Sequence, residues 1–289
     1  MKKYHFSASR IYPLAILLLS TVLPLSTKAE TIDCTAITSL PYVIATQGVY
    51  CLTGNLSTSM TGSFGAIEIQ ANNVTLDLNG YKLGGLAAGD GTDQGGIYAY
   101  QRKNITIKNG IVRGFFRGIW LRDDPPFTTS SGHVVTGILA DQNTNQAISV
   151  YGIGNTVSHN TVVDTGGTTF FGGQGWGIWV RGDSARVANN VVSNTFSGSV
   201  NNTRAIYIAS SNYSVVENNT VTDTISDTAN SYAIYVEGIG VFVRNNNLAN
   251  ADFGIYFSSG SDGGKYFNNL TFDVTTPFTG GTAIGGNNN

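Results

Sequence analysis

Cysteine, charge and long apolar runs are all scarce in this chain, and each shortage removes a class of protein. Two cysteines in 289 residues are too few for a disulfide-knit scaffold or a thiolate metal site. Only 12% of residues are charged, and no cluster of lysine or arginine gives the electrostatic footprint that nucleic acid or anionic lipid requires. Beyond residue 25 no stretch approaches the roughly 20 apolar residues of a membrane-spanning helix. Helical periodicity is missing as well. No later segment keeps apolar residues at i, i+3, i+4 and i+7, and Gly, Asn, Ser and Thr, which disfavour helix, dominate.

What is present begins with an export signal. Lys2, Lys3 and Arg10 precede an apolar run over residues 14–25, and Thr27-Lys28-Ala29 supplies small residues where a signal peptidase cuts. The reading is a signal peptide over residues 1–29, hence a periplasmic or secreted protein with no membrane attachment after cleavage. Cleavage removes four of the 16 basic residues and none of the 18 acidic ones, a balance of −6. In an oxidising compartment Cys34 and Cys51 are expected to form one disulfide, stabilising the first coil by about 3 kcal/mol.

Eight segments then repeat a small residue, an isoleucine, and an outward and an inward position, with isoleucines at 67, 97, 119, 148, 178, 206, 234 and 255. Their spacing of 21 to 30 residues is shorter than a propeller blade and fits the coils of a solenoid. A second register follows each strand. Val74-Thr75-Leu76-Asp77-Leu78-Asn79-Gly80 matches Ile105-Thr106-Ile107-Lys108-Asn109-Gly110, and later copies carry His159-Asn160, Asn189-Asn190, Asn218-Asn219, Asn246-Asn247 and Asn268-Asn269. Asparagine accepts the left-handed backbone of a sharp turn, and stacked amides can bond from coil to coil, so these residues are expected to be structural. The fold class is therefore all-β: a right-handed parallel β-helix of about eight coils with a disulfide-pinned cap. The expected organisation is cap and first coil over residues 30–64, β-helix over 65–270, and a C-terminal cap and tail over 271–289.

These Asn-bearing coils resemble the right-handed β-helix family of the pectate-lyase-like superfamily. The opening Leu40-Pro41-Tyr42-Val43-Ile44 and Gly48-Val49-Tyr50-Cys51-Leu52-Thr53-Gly54 is similar to the first coil of exported bacterial β-helix-repeat proteins. The resemblance implies a fold shared by polysaccharide lyases, glycoside hydrolases, uronate epimerases, adhesins and phage tailspikes, and architecture alone does not choose among them.

Alternation places the residue after each key isoleucine outside, giving a column of Tyr98, Trp120, Ser149, Trp179, Tyr207, Tyr235 and Tyr256. Two residues on come Tyr100, Arg122, Tyr151, Arg181, Ala209, Glu237 and Ser258. Aromatic faces stack on the C–H faces of sugars, while Arg and Glu bond hydroxyls and carboxylates. Tyr98, Trp120, Arg122, Trp179, Arg181, Tyr207, Tyr235 and Glu237 are thus the expected polysaccharide-binding residues. Long connections around this strand either wall a groove or cover the rings. Asp123, Asp124 and His133 are the catalytic candidates, since paired carboxylates can divide acid and base roles beside a group titrating near neutrality. The motif sets of the hydrolases, epimerases and lyases are otherwise absent. Gly89-Asp90-Gly91-Thr92-Asp93 resembles a fragment of a calcium loop with too few ligands, so neither metal nor cofactor is expected. Three functions stay open for a chain expected to be monomeric: a polysaccharide-binding β-helix, a carbohydrate-active lyase, hydrolase or epimerase using the same groove, and a rod presenting loops to a protein partner.

Overall fold

The eight repeat isoleucines stand above one another in the computed structural model, which describes residues 33–62, 64–170, 172–198 and 201–286. Parallel pairing sets Ile67 beside Ile97, Ile97 beside Ile119, and so on through Ile148, Ile178, Ile206, Ile234 and Ile255. All eight are fully buried. At about 1.5–3 kcal/mol for each buried side chain, this single column is a main source of the stability that orders the coils. The expected signal peptide lies outside the described residues.

Three stacks of short strands wrap around that core, and every pairing between strands is parallel. The first stack carries the isoleucines. A second runs from Val74–Asp77 through Thr156–Ser158, Arg186–Ala188, Val215–Glu217 and Phe242–Arg244 to Lys265–Phe267. A third runs from Lys82–Gly84 through Thr161–Thr165, Val191–Ser197 and Thr220–Ser226 to Leu270–Thr279. The pairing passes residue 270, where the sequence places the end of the β-helix: Ile255 pairs with Phe278 and Tyr266 with Ala283. Leu270–Thr279 keeps the β-branched and aromatic residues that suit a strand, so the last rung forms although its outer edge has no neighbour among the described residues.

The corner between the second and third stacks is held by the asparagines, with the two residues of each pair divided between two tasks. The first takes the left-handed backbone: His159, Asn189, Asn218, Asn245 and Asn268 all have φ between 53° and 57°. The second is buried and forms an amide ladder, Asn160 to Asn190, Asn219, Asn246 and Asn269, each Nδ2 donating to the next Oδ1 at 3.0 Å. The same Oδ1 also accepts a backbone N–H from the rung before it. At the opposite end Cys34 and Cys51 are disulfide-bonded across a Cα separation of 5.8 Å, tying Thr35–Ile37 to Gly48–Leu52. Among the described residues no helix is long and apolar enough to cross a membrane.

Candidate functional site

The isoleucine-bearing strands expose three columns rather than two. Strict alternation holds from each isoleucine onward, so Trp120, Trp179, Tyr207 and Tyr235 occupy matched outward positions, with Arg122 or its equivalents two residues later. Before the isoleucine the alternation breaks. The small residue there faces the interior beside its neighbour: a Cβ on Gly96 would meet Phe115 at 2.9 Å and Val112 at 3.0 Å. That irregularity turns the residue two before each isoleucine outward, and Arg117, Gln146, Trp176, Arg204 and Tyr232 form the third column in register. Arg117 and Arg204 are therefore on this face although period-2 reasoning assigns them to the inside. The recurrent Gly or Ala before isoleucine is the signal that marks them, because two consecutive inward positions need one without bulk.

The aromatic column is more deeply buried than the sequence expects of an open strip. Trp179 is 8% exposed and Tyr207 7%, while Trp120 and Tyr235 are only half-buried. The rings cover one another. Trp179 stacks on Tyr207 at 5.5 Å, Trp176 lies edge-on to Trp179 at 4.4 Å, and Tyr235 meets Tyr207 at 5.5 Å. The long connection after Arg122 also folds back, setting Phe127 over Tyr151 at 6.0 Å. Tyr98 is likewise buried, 5.1 Å from Trp120. Water is removed from most of these ring faces by other rings, which leaves Trp120 as the more accessible indole of the pair that the sequence singles out.

Guanidinium groups lie across this aromatic layer. Arg117 sits 4.2 Å from the Trp120 ring and Arg122 5.3 Å from it. Arg181 lies over Trp179 at 4.7 Å and Phe127 at 5.0 Å, and Arg204 over Tyr235 at 4.5 Å and Tyr207 at 4.6 Å. Arg122 is paired with Asp124 at 3.0 Å. Arg181 and Arg204 make no ion pair among the described residues, and the Nε of each, like that of Arg117, is buried without a hydrogen-bond partner. Burial lowers the Arg117 pKa, against the smaller opposing pull of Asp93. A cleft of about 340 Å³ opens here, lined by Tyr98, Arg117, Trp120, Arg122, Phe116 and Phe170.

The catalytic candidates occupy different environments. Asp123 is 2% exposed, and its carboxylate accepts the backbone N–H groups of Asp124, Thr129 and Ser130, holding the following loop in shape. His133 is also buried. Its Nδ1 accepts the Ile105 N–H, and desolvation lowers its pKa to about 4, so it stays neutral at physiological pH. Asp124 alone of the three reaches solvent, held by the Tyr100 hydroxyl at 2.5 Å and by Arg122. The Tyr100 bond and the Arg122 charge keep its carboxyl below the usual range. Farther along, Glu237 accepts the Tyr207 hydroxyl at 2.6 Å and borders a cleft with Tyr235 and Ser258–Ser261. Of the two carboxylates in the calcium-like segment, Asp93 is near Arg117 at the aromatic cleft, whereas Asp90 lines a separate cleft on the third-stack side.

No family model and no curated protein matches the sequence. Solved structures do match in fold. The Dettilon tailspike protein superposes with a TM-score of 0.58 at 16% identity, over 82% of this chain and 54% of the tailspike. The enzymatically active domain of tailspike protein 2 from bacteriophage CBA120 superposes with a TM-score of 0.51 at 12% identity, over 83% of this chain and 39% of that one. This chain thus spans about half the length of the first and less of the second. At these identities the likeness is one of fold: a parallel β-helix.

Proposed function

We propose that the protein binds an acidic polysaccharide along the isoleucine-bearing sheet, with the arginine columns reading its anionic groups and Trp120 its ring faces. The observation that carries the reading is the set of guanidiniums held over aromatic rings: Arg181 and Arg204 form no ion pair among the described residues, and Arg117 has only the Asp93 carboxylate near it in the same cleft. A cation so placed lacks the compensation that a buried or half-buried charge normally has, and a carboxylate or sulfate on a sugar supplies it bidentately. Aromatic rings line the surface between the arginines, and such rings suit pyranose C–H faces. Two solved tailspikes share the fold, and one is described as an enzymatically active domain. Export to the periplasm or beyond would place the site where such polymers occur.

Binding is favoured over catalysis because Asp123 and His133 are spent on backbone hydrogen bonds and Asp124 is held ionised. The test is calorimetric titration of the protein with polygalacturonate, alginate and a sulfated glycan, beside neutral dextran. Arg117→Gln should weaken binding of the preferred acidic polymer by about tenfold, the value of one charge-assisted contact, and leave the fold intact. Equal affinity for dextran, or an unchanged affinity in the variant, would overturn the reading. Release of unsaturated or reducing ends in the same samples would move the protein to the enzyme class.

A further inference from the structure

A second cleft lies on the third-stack side of the loops that border the arginine face. The loop of residues 85–94 enters the second isoleucine rung and that of residues 166–170 leads to the fifth, while the chain enters the two rungs between them through the tight turns of residues 114–116 and 142–145. The long loops meet over the short turns: the Asp90 carbonyl accepts the Thr169 N–H at 3.1 Å and the Thr168 hydroxyl at 3.3 Å. On the third-stack side the arch encloses about 500 Å³.

The walls of this cleft differ in kind from those of the first. Leu86 and the half-buried ring of Phe196 supply its apolar sides. Its floor is bare backbone at Gly114, Gly166 and Gly167. A Cβ on Gly114 would lie 2.5 Å from the Leu86 nitrogen, and one on Gly166 would lie 1.9 Å from the Phe196 carbonyl oxygen, so side chains are excluded there by contact as well as by positive φ. The rim is polar and carries no lysine or arginine among the described lining residues. Asp164 lines the cleft and accepts Asn194 Nδ2 at 2.7 Å through one carboxylate oxygen. Gln142 receives Arg113 on its Oε1 and keeps its Nε2 as a donor, and the Thr144 hydroxyl is buried without a partner.

We propose that this cleft is a second saccharide site, specific for an uncharged hexopyranose unit. Carboxylate and amide groups at one rim match vicinal hydroxyls, and Phe196 and Leu86 match the C–H faces of the ring. Asp90 and Asp164 repel the carboxylate or sulfate that the arginine face attracts, so the two clefts divide sugars by charge. A hydrated cation would leave the apolar walls unused. The inference rests on this cleft alone and stands whether or not the arginine face binds an acidic polymer.

Calorimetry and saturation-transfer NMR with uncharged trisaccharides of glucose, galactose, mannose and N-acetylglucosamine test it on the whole exported chain. At least one should bind with a Kd of about 1 mM or tighter. Asp164→Asn should weaken that binding about tenfold, and Leu86→Trp, which enlarges an already exposed side chain over the cleft, should abolish it while thermal melting stays unchanged. Arg117→Gln should have no effect. The proposal fails if none of the four trisaccharides binds, if binding survives both cleft substitutions, or if it is lost in Arg117→Gln, which would put the sugar on the arginine face.

Discussion

His133 shows how a residue with catalytic credentials can be committed to structure. Its Nδ1 accepts the Ile105 N–H, and its backbone N–H donates to Asn155 Oδ1 at 2.9 Å, so it links three successive coils. Only the neutral ring can accept at Nδ1, and burial lowers the folded pKa to about 4 from the usual 6.5. The unfolded chain therefore binds a proton that the folded chain refuses. Stability is full above pH 6.5 and falls as the pH drops towards 4, by about 3 kcal/mol in all. Asn155 does the same accepting work from an amide in the next coil, so His133→Asn keeps an acceptor and removes the titration. Urea denaturation at pH 7 and pH 4.5 should show a smaller loss in that variant than in the unaltered protein; equal losses would assign the acid sensitivity elsewhere. Trp179 answers the same kind of question for the aromatic column. At 8% exposure amid Trp176, Tyr151 and Tyr207, its replacement by alanine should cost about 3 kcal/mol in chemical denaturation. A loss below about 1 kcal/mol, together with lost glycan binding, would return Trp179 to the role of an open stacking platform.

The asparagine corner makes the clearest element-scale prediction, because neighbouring residues of one type have opposite duties. Asn219 is buried. Its Oδ1 accepts from both the backbone and the side chain of Asn190, and its Nδ2 donates to Val187 O and Asn246 Oδ1. Alanine there takes a partner from the Asn190 N–H, the Asn190 Nδ2 and the Val187 carbonyl, while Asn246 Oδ1 keeps the Asn219 backbone N–H, a loss of about 3 kcal/mol. Asn218, one residue earlier with φ 55°, only has to tolerate the left-handed region, so Asn218→Gly should change the melting point little. Comparable losses in both variants would contradict this division of labour. The pairs were legible in the sequence as a structural column because they recur at the strand turn, although the one read as Asn246-Asn247 is Asn245-Asn246 in the structure, and the isoleucine column was legible to the residue. Arg117 and Arg204 were not. Their strands bend at Gly118 and Ala205, putting two successive positions inside, and a strict two-residue period has no place for such a step. The depth of burial of Trp179 and Tyr207 was equally hidden, since it depends on Phe127 and Trp176 arriving from a loop and from the third column.

Across the whole molecule the distribution of charge matters more than its sum. The chain carries 18 acidic and 16 basic residues, yet Arg117, Arg122, Arg181 and Arg204 gather on one face, with Asp124 and Glu237 at its borders. Arg117 is on the third isoleucine rung and Arg204 on the sixth, a rise of about 14 Å at roughly 4.8 Å per rung. That distance is close to the span of three sugar residues, so an acidic chain laid along the axis meets its outermost guanidiniums about three residues apart. Affinity for a graded series of oligogalacturonates should therefore climb with length up to about four residues and then level off. Removing both ends, in Arg117→Gln with Arg204→Gln, should flatten the climb, whereas either change alone should shorten the optimal oligomer. The double variant should also bind with a weaker dependence on salt, because two cations no longer attract the polymer through the ionic atmosphere. Calorimetry across chain length and ionic strength reads both effects at once. Affinity independent of length, or a salt dependence unchanged in the double variant, would mean that the arginines serve the aromatic layer by cation–π contact and that no polymer runs along it.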